Sequence, residues 1–339
     1  MNDCHWIKSV LKHHPHNRVP YNFMFSPPVK AALEKHYNTA NLNDFLELPL
    51  RMISLKNQKP LYADPKIFGE TITDEFGVTW STNELDRGSP IGNCLKTDSL
   101  KDYKFPDPHL PRRFEDIGPW CLSQQGHYRI IWIGDLWERA TFMRGMENIL
   151  LDVTLNESFV KRLLESLTDY ILETLKVLFI NFSFEAIALS DDYGTQRGML
   201  ISPQKWRQLI KPCLKRIYDF AKSAGRDIFH HSCGNIIEII PDLIDIGLDI
   251  LHPIQPEAMD PFELKKQFGD SLTFCGGMPT QTVLPNGNIE QVRSIVRKLK
   301  DEMGRGGGYI FEPGITLLAD VPIENIVVMI DEIKQGAEF

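Results

Sequence analysis

The sequence predicts an α/β protein, and within that class a (β/α)8 TIM barrel in a single domain with an N-terminal elaboration. Strand-like and helix-like segments alternate through roughly the last two thirds of the chain, which implies parallel strands joined by right-handed crossovers. The alternation gives about seven or eight such units, the number that closes a barrel of about 250 residues. An open doubly wound sheet is the alternative, but no G-x-G-x-x-G motif follows the first strand to support it.

The first third of the chain is expected to open the barrel and to carry the elaboration. A polar, histidine-rich helix begins the chain, and a short β-like run follows over residues 18–25. Ser26 and the two prolines after it predict the start of a helix. Residues 62–119 are rich in turn residues and contain strand-like material over 72–82. We expect residues 1–60 to form a helical extension with the first barrel strand, and residues 61–339 to form the rest of one domain.

The remaining elements follow from hydrophobic patterning and from helix start and stop signals. The predicted strands span 128–135, 185–194, 226–234, 248–256, 271–279 and 307–315. The predicted helices span 136–152, 156–179, 202–225, 235–247, 260–270, 288–304 and 322–336.

The composition excludes several classes of function. The net charge of −8, without basic clusters, argues against binding to nucleic acid or to an anionic membrane. Charges interrupt every apolar run before the ~20 residues that a membrane span needs, and no apolar export signal begins the chain. The six cysteines show no C-x-x-C spacing, so we expect reduced thiols and a cytoplasmic protein.

Reactive side chains are concentrated where the predicted strands end. The catalytic groups of TIM barrels lie at the carboxyl ends of their strands. A structural barrel would more often place Gly, Ser, Asn and Pro at these positions. The strand ends carry Asp135, Asp191, Asp192, His231, Cys233, Gln255, Glu257, Cys275 and Glu312. The sequence therefore predicts a functional mouth at this end of the barrel.

The segment "FHHSCGN" places His231 and Cys233 two residues apart at the end of a strand. Their side chains are therefore expected to project to the same side. An imidazole nitrogen and a thiolate suit Zn²⁺, and Cys275 on a later strand offers a second sulfur. The alternative is a buried thiol and a hydrogen-bonded histidine without metal. His230 points the other way and is expected to pack in the core.

The segment "LSDDYG" places two aspartates side by side at another strand end. Adjacent residues alternate faces, so only one of Asp191 and Asp192 is expected to enter the mouth, while the other caps or faces the helices. We predict catalytic roles for both; the alternative is that they simply begin a loop. The predicted contacts to substrate are Tyr193, Gln255, Phe23 and Asp135.

Three long segments, 189–217, 230–270 and 307–331, together resemble the uroporphyrinogen decarboxylase superfamily. The chain looks closest to its branch of cobalamin-dependent methyltransferases, and "DEFGVTW" and "YKFPDPHLP" fit the same branch. The resemblance implies a (β/α)8 barrel with its site in the funnel at the strand ends. The true decarboxylases carry an arginine-rich segment for substrate carboxylates, whereas this chain has no arginine between Arg18 and Arg51. Decarboxylation of a porphyrinogen is therefore disfavoured.

The same resemblance implies a zinc site made from an H-x-C pair and a later cysteine. His231 and Cys233 match the pair, but the last strand reads "EPGITL" and has no cysteine. Cys275 is the predicted replacement, with Glu257 or Glu312 as an oxygen ligand; a degenerate, metal-free site is the alternative. The methyl-carrying corrinoid, methylcobalamin or a relative of it, is expected on a separate corrinoid protein, because this chain has no D-x-H-x-x-G segment.

Three functions remain open from the sequence. The first is a zinc-dependent methyltransferase that moves a methyl group between a corrinoid protein and a small methylated, thiol, ether or amine compound. The second is a lyase that decarboxylates a tetrapyrrole or a small acid without metal. The third is a binding module that holds a corrinoid or a methylated ligand without turnover. A homodimer is a further expectation, since members of the superfamily often dimerise.

Overall fold

A computed structural model describes residues 2–57, 63–83 and 88–335, and its central feature is a sheet of seven parallel strands. The sheet has the order β1-β5-β6-β7-β8-β9-β10, so neighbours in space follow one another along the chain. A second, antiparallel sheet contains β2, β3 and β4. The strands are β1 Leu50–Ser54, β2 Thr71–Thr73, β3 Thr79–Ser81, β4 Pro90–Gly92, β5 Tyr128–Gly134, β6 Ala186–Ser190, β7 Asp227–His231, β8 Ile250–Ile254, β9 Thr273–Met278 and β10 Tyr309–Pro313.

The eighth position of the barrel is taken by the N-terminal segment 20–25. Parallel bridges join Tyr21 to Phe311 in β10, and Phe25 to Leu317 just beyond it. The β-like run predicted over 18–25 therefore lies beside the last strand, although it forms isolated bridges and no continuous strand. With helices around this curled parallel sheet, the predicted α/β barrel class is confirmed.

Helices connect the strands and cover the outside of the sheet. The α-helices are α1 Asp3–Leu11, α2 Pro27–Tyr37, α3 Leu42–Phe45, α4 Pro65–Phe68, α5 Ile117–Ser123, α6 Trp137–Arg144, α7 Met146–Leu155, α8 Glu157–Asn181, α9 Pro203–Leu209, α10 Lys211–Ser223, α11 Ile240–Asp245, α12 Pro261–Phe268, α13 Val283–Asn286, α14 Ile289–Lys298 and α15 Ile323–Lys334. Short turns of other helix types span Pro111–Phe114, Ile237–Ile239 and Leu299–Met303. None of the described helices is both long and apolar enough to cross a membrane.

Two predicted helices are interrupted in the structure, each for a local reason. The helix predicted over 136–152 breaks at Gly145, whose φ of 87° leaves the helical region. The helix predicted over 202–225 divides into α9 and α10, where Pro212 enters the first turn of α10 without a backbone N–H to continue the ladder.

The strand residues alternate between two apolar cores. Ala186 and Ala188 of β6 face the barrel interior with Phe229 of β7, whereas Ile187 and Leu189 face the core beneath the helices. This period of two fixes which side chains enter the barrel.

The strand predicted over 72–82 is a hairpin of β2 and β3 that turns at Asp74. The Asp74 carboxylate accepts hydrogen bonds from Phe76 N, Val78 N and Trp80 Nε1. It also pairs with Arg139 of α6 at 2.8 Å, which ties the hairpin to the barrel. The expected boundary between residues 60 and 61 falls within 58–62, outside the described residues.

Candidate functional site

Three side chains with metal-binding atoms meet at the carboxyl ends of β6 and β7. His231 Nε2 lies 3.4 Å from Cys233 Sγ and 3.5 Å from Asp192 Oδ1. The three ligand atoms lie within 4.8 Å of one another, and all three residues are partly accessible. We call Asp192, His231 and Cys233 the outer cluster.

Backbone contacts between two loops hold the outer cluster together. Asp192 Oδ1 accepts a hydrogen bond of 2.7 Å from Cys233 N, which links the loop after β6 to the loop after β7. Gly194 and Gly234 let these loops touch, because a Cβ on Gly234 would lie 2.5 Å from the carbonyl carbon of Gly194. Gln255 supports the same loop from β8, since its Oε1 accepts from Gly234 N at 2.6 Å.

Asp191 lies on the opposite side of the chain from Asp192, as the alternation of adjacent residues predicts. Its Oδ1 accepts from Leu136 N and Glu138 N at the start of α6, both at 2.9 Å. Its Oδ2 accepts from the buried Tyr193 hydroxyl at 2.9 Å. Burial raises the pKa of Asp191 to about 8, an effect that these donors oppose. The structure therefore places Asp191 and Tyr193 in a helix cap behind the mouth.

Two other carboxylates that were expected in the site already have bonding partners within the protein. Glu257 Oε1 accepts from Gln281 N at 3.0 Å and from Thr282 Oγ1 at 3.4 Å, so Glu257 anchors the loop after β9. It belongs to neither of the two metal-type clusters found among the described residues. Asp135 pairs with Arg139 at 3.2 Å at the edge of the mouth.

A second group of ligand-type side chains lies inside the barrel on three successive strands. Cys275 Sγ donates to Glu312 Oε2 at 3.0 Å, and His252 Nε2 lies 3.7 Å from the same oxygen. All three residues are buried. We call His252, Cys275 and Glu312 the inner cluster. The structure thus separates Cys275 from the His231–Cys233 pair that it was predicted to complete.

The two clusters touch through their histidines. His231 and His252 are register partners in β7 and β8, and their Nδ1 atoms lie 3.0 Å apart. His230, in contrast, is buried on the other side and bonds Tyr218 Oη through Nδ1 at 2.7 Å. His230 is therefore a packing residue, as its position in the strand predicts.

The sequence reasoning did not select His252, Glu138 or Asn22. His252 stands inside a predicted strand, and only the pairing of β7 with β8 shows that it faces His231. Glu138 accepts from Ser190 Oγ at 2.8 Å, and burial together with the charges of Asp192 and Asp135 raises its pKa. Asn22 donates to Glu312 Oε1 at 3.0 Å. A search for polar residues in the interiors of predicted strands would have found His252.

A cavity of about 250 Å³ lies between the N-terminal segment and β1. Its lining includes Asn22, Phe23, Met52 and Trp132. Asn22 bonds Glu312 of the inner cluster, and the Trp132 ring lies 6.1 Å from the ring of His231. The cavity is therefore next to both clusters, and Phe23 forms part of its wall.

The donor atoms of the outer cluster fit a zinc ion. Ligand atoms about 2.0–2.3 Å from a tetrahedral zinc lie about 3.3–3.8 Å from one another, and the distances of 3.4 Å and 3.5 Å from His231 Nε2 match that range. Burial and the nearby carboxylates Asp192 and Glu138 raise the pKa of the Cys233 thiol. A divalent cation would supply the positive charge that the thiolate form needs.

Comparisons with known proteins identify the family of the chain. Residues 133–336 match the family model described as Uroporphyrinogen decarboxylase (URO-D). The methylcobamide:CoM methyltransferase MtaA of Methanosarcina barkeri is 25% identical over 146 residues, which cover 43% of this chain and 40% of that protein. A uroporphyrinogen decarboxylase of Thermus thermophilus is 26% identical over 138 residues, covering 40% and 38% respectively. The chain thus spans about 40% of the length of these curated relatives.

A solved structure matches almost the whole chain. A methyltransferase from Methanosarcina mazei superposes with a TM-score of 0.71 over 98% of each chain, at 16% sequence identity. This likeness concerns the fold, while the family model covers more than half of the sequence. The resemblance seen in the sequence is confirmed: the chain belongs to the uroporphyrinogen decarboxylase family.

Proposed function

We propose that this protein is a zinc-dependent methyltransferase of the uroporphyrinogen decarboxylase family. It moves a methyl group between the corrinoid of a separate protein and a small methylated, thiol, ether or amine compound. The observation that carries the proposal is the outer cluster, where nitrogen, sulfur and oxygen donors meet at the strand ends. The partial similarity to a methylcobamide:CoM methyltransferase supports the same class of reaction.

His231, Cys233 and Asp192 would hold the zinc ion. When bound there with an open position, zinc acts as a Lewis acid that favours the thiolate form of a substrate thiol or polarises an ether or amine. Because all three residues are partly accessible, a small compound has access to this place in the barrel mouth.

Two carboxyl groups of the chain are placed to handle the proton that such a substrate loses or gains. Asp192 stands at the cluster itself, 3.5 Å from His231 Nε2. Glu138 stands beside it, bonded to Ser190, and burial with its acidic neighbours raises its pKa so that it holds a proton more readily than an exposed glutamate. Asp191 has a structural role in this proposal, because its carboxylate oxygens accept hydrogen bonds from the start of α6 and from the Tyr193 hydroxyl.

The size and charge of the site favour a small substrate without several carboxylates. The adjacent cavity of about 250 Å³ is smaller than the roughly 300–1,000 Å³ clefts that hold drug-sized ligands. The mouth is acidic, with Asp135, Asp192 and Glu138 close together. Arg139 is already paired with Asp74 and Asp135. A tetrapyrrole with many carboxylates has poor complementarity to this arrangement.

The experiment that tests the proposal follows methyl transfer in both directions with free cobalamin. The zinc-loaded protein is mixed with methylcob(III)alamin and a panel of small thiols, and separately with cob(I)alamin and small methylated thiols, ethers and amines. We expect a change in the cobalamin absorption spectrum with at least one compound. Cys233→Ser should reduce the rate at least about 100-fold, because a metal ligand is lost.

Cys213→Ser is the matched control, since Cys213 is a buried thiol in α10 outside both clusters. It should keep the wild-type rate. Absence of transfer in both directions with zinc-loaded protein would overturn the proposal. In that case, release of CO₂ from small acids or porphyrinogens by the same preparations would favour the lyase, and tight ligand binding without turnover would favour a binding module.

A further inference from the structure

The inner cluster has the composition of a metal site of its own. His252, Cys275 and Glu312 come from β8, β9 and β10, and none is more than 1% exposed. The distances of 3.0 Å and 3.7 Å from Glu312 Oε2 to the other two ligand atoms are close to the edges of a zinc tetrahedron, which are about 3.3–3.8 Å. The three ligand atoms all lie within 4.8 Å of one another.

His252 supplies an independent indication of a ligand. Its Nε2 atom is fully buried and has no hydrogen-bond partner within the described ranges. A buried polar atom without a partner is costly. This nitrogen faces the carboxylate oxygen that the Cys275 thiol also contacts. A cation between the three atoms would satisfy all of them.

The charge balance also favours a divalent cation. Binding would release the Cys275 thiol proton to solvent, and the resulting thiolate together with the Glu312 carboxylate carries two negative charges. These cancel the charge of a divalent ion, so that the buried group is neutral as a whole. A histidine, a thiolate and a carboxylate are ligands that zinc accepts.

Two ligands of the inner cluster already have the hydrogen-bond partners, outside the coordination shell, that metal ligands need. Asn22 donates to Glu312 Oε1 at 3.0 Å, which leaves Oε2 for the cation. His252 uses Nδ1 for its contact with His231, which leaves Nε2. Such partners orient the ligands of metal sites and fix the histidine tautomer.

We propose that His252, Cys275 and Glu312 form a second site for a zinc-like divalent cation, and that this site and the outer cluster are filled alternately. The alternation follows from the contact of 3.0 Å between the Nδ1 atoms of His231 and His252. There is room for only one proton between these two nitrogens. If His231 donates that proton, its Nε2 presents a lone pair to a metal ion, while a neutral His252 must carry its own proton on Nε2. If His252 donates, the roles are reversed.

The test titrates metal-free protein with Co²⁺ and measures bound cobalt per chain and the near-ultraviolet absorption of cobalt bound to thiolate. We expect one cobalt per chain in the wild type. Cys233→Ser and Cys275→Ser should each still bind one cobalt with a thiolate band, from the remaining cluster. The double variant should lose the band and most of the metal, and Cys213→Ser should behave as the wild type.

A second variant keeps the test decisive if Cys275→Ser fails to fold. Glu312→Gln retains an oxygen for Asn22, and in the Cys233→Ser background it should lose the bound cobalt while circular dichroism still shows folded protein. Loss of metal from Cys233→Ser alone, or no cobalt in the wild type, would overturn the inner site. Two cobalt ions per wild-type chain would overturn the alternation. Because metal content is the readout, failure here is distinguishable from failure of the methyl-transfer assay.

Discussion

The Nδ1 atoms of His231 and His252 lie 3.0 Å apart across the β7–β8 pair, so one imidazole must donate a proton to the other. This contact joins the partly accessible outer cluster to the buried inner cluster. Whenever a metal ion is bound at the outer cluster, His252 is the hydrogen-bond partner that orients the ligand His231 without touching the metal.

Replacing His252 should therefore weaken metal binding at the outer cluster, although His252 does not touch that metal. In the Cys275→Ser background, which leaves only the outer cluster, we expect His252→Phe to lower Zn²⁺ affinity about 10- to 100-fold, since His231 loses the acceptor that orients it. The metal-free protein should lose about 1 kcal/mol of stability, because the bond between the two Nδ1 atoms is removed.

His230→Phe is the matched control for this change. It removes the bond to Tyr218 Oη and should cost about 1 kcal/mol of stability or more. Zinc affinity, measured by competition with a chelating dye, should be unchanged. Equal losses of affinity in both variants would contradict the assigned role of His252.

The neighbouring aspartates should separate into a stability residue and a site residue. Asp191→Ala leaves three donors without their acceptor, and each orphaned buried group costs about 1–3 kcal/mol. Asp192→Ala, at a partly exposed position, should change stability by less than about 1 kcal/mol but lower metal affinity and methyl transfer. Urea unfolding and the cobalt titration measure both properties. A stable Asp191→Ala protein would refute the capping role.

A methyl group on Gly234 should disrupt the mouth by forcing two loops apart. Gly234 has a φ of +80°, and its Cβ would meet three backbone atoms of Gly194 and Thr195 at 2.5–2.8 Å. We expect Gly234→Ala to cost more than about 3 kcal/mol and to abolish metal binding at the outer cluster. Gly225→Ala is the control, with a φ of +69° and nothing within 4 Å of the added Cβ. It should cost only about 1–2 kcal/mol for its backbone conformation. Similar losses in both would show that close approach of the loops is unimportant.

Alkaline pH should weaken the closure of the barrel at Tyr21. The Tyr21 hydroxyl donates to Leu46 O at 2.9 Å, and burial raises its pKa to about 12. The folded state thus favours the neutral phenol, so this stabilisation is complete below pH 10 and is lost as the pH rises from about 10 towards 12. Tyr21→Phe should be about 1 kcal/mol less stable than wild type at pH 7, and the gap should narrow by pH 11.

Tyr37→Phe provides the comparison for that titration. Burial also raises the pKa of Tyr37 to about 12, but its hydroxyl has no hydrogen-bond partner among the residues described. This variant should match the wild type at pH 7 and become relatively more stable above pH 10. Thermal unfolding followed by circular dichroism from pH 7 to 11 decides the point. A constant gap between Tyr21→Phe and wild type would mean that Tyr21 does not titrate in this range.

The fold class was accessible from the sequence because alternating strands and helices leave few topologies. The positions of His231, Cys233 and Asp192 at strand ends were accessible for the same reason. The sequence did not predict that Cys275 and Glu312 form a separate inner cluster. This arrangement depends on which strands are neighbours and on how far inside the barrel each residue lies. The sequence did not indicate His252, because its position opposite His231 depends on the register between two strands, which is a tertiary property. Apolar periodicity alone predicted one helix where the structure has two, because it does not register the breaks at Gly145 and Pro212.

The cavity and the two clusters draw on different parts of the chain. Of the residues that line the cavity, all but Trp132 come before residue 60, while both clusters lie within residues 133–336, the part that matches the family. If the cavity receives the substrate, as the proposed function implies, selectivity and reactivity are encoded in different parts of the chain. Substitutions before residue 60 could change which molecule fits while the donor atoms stay in place, so that a new specificity would require no new chemistry.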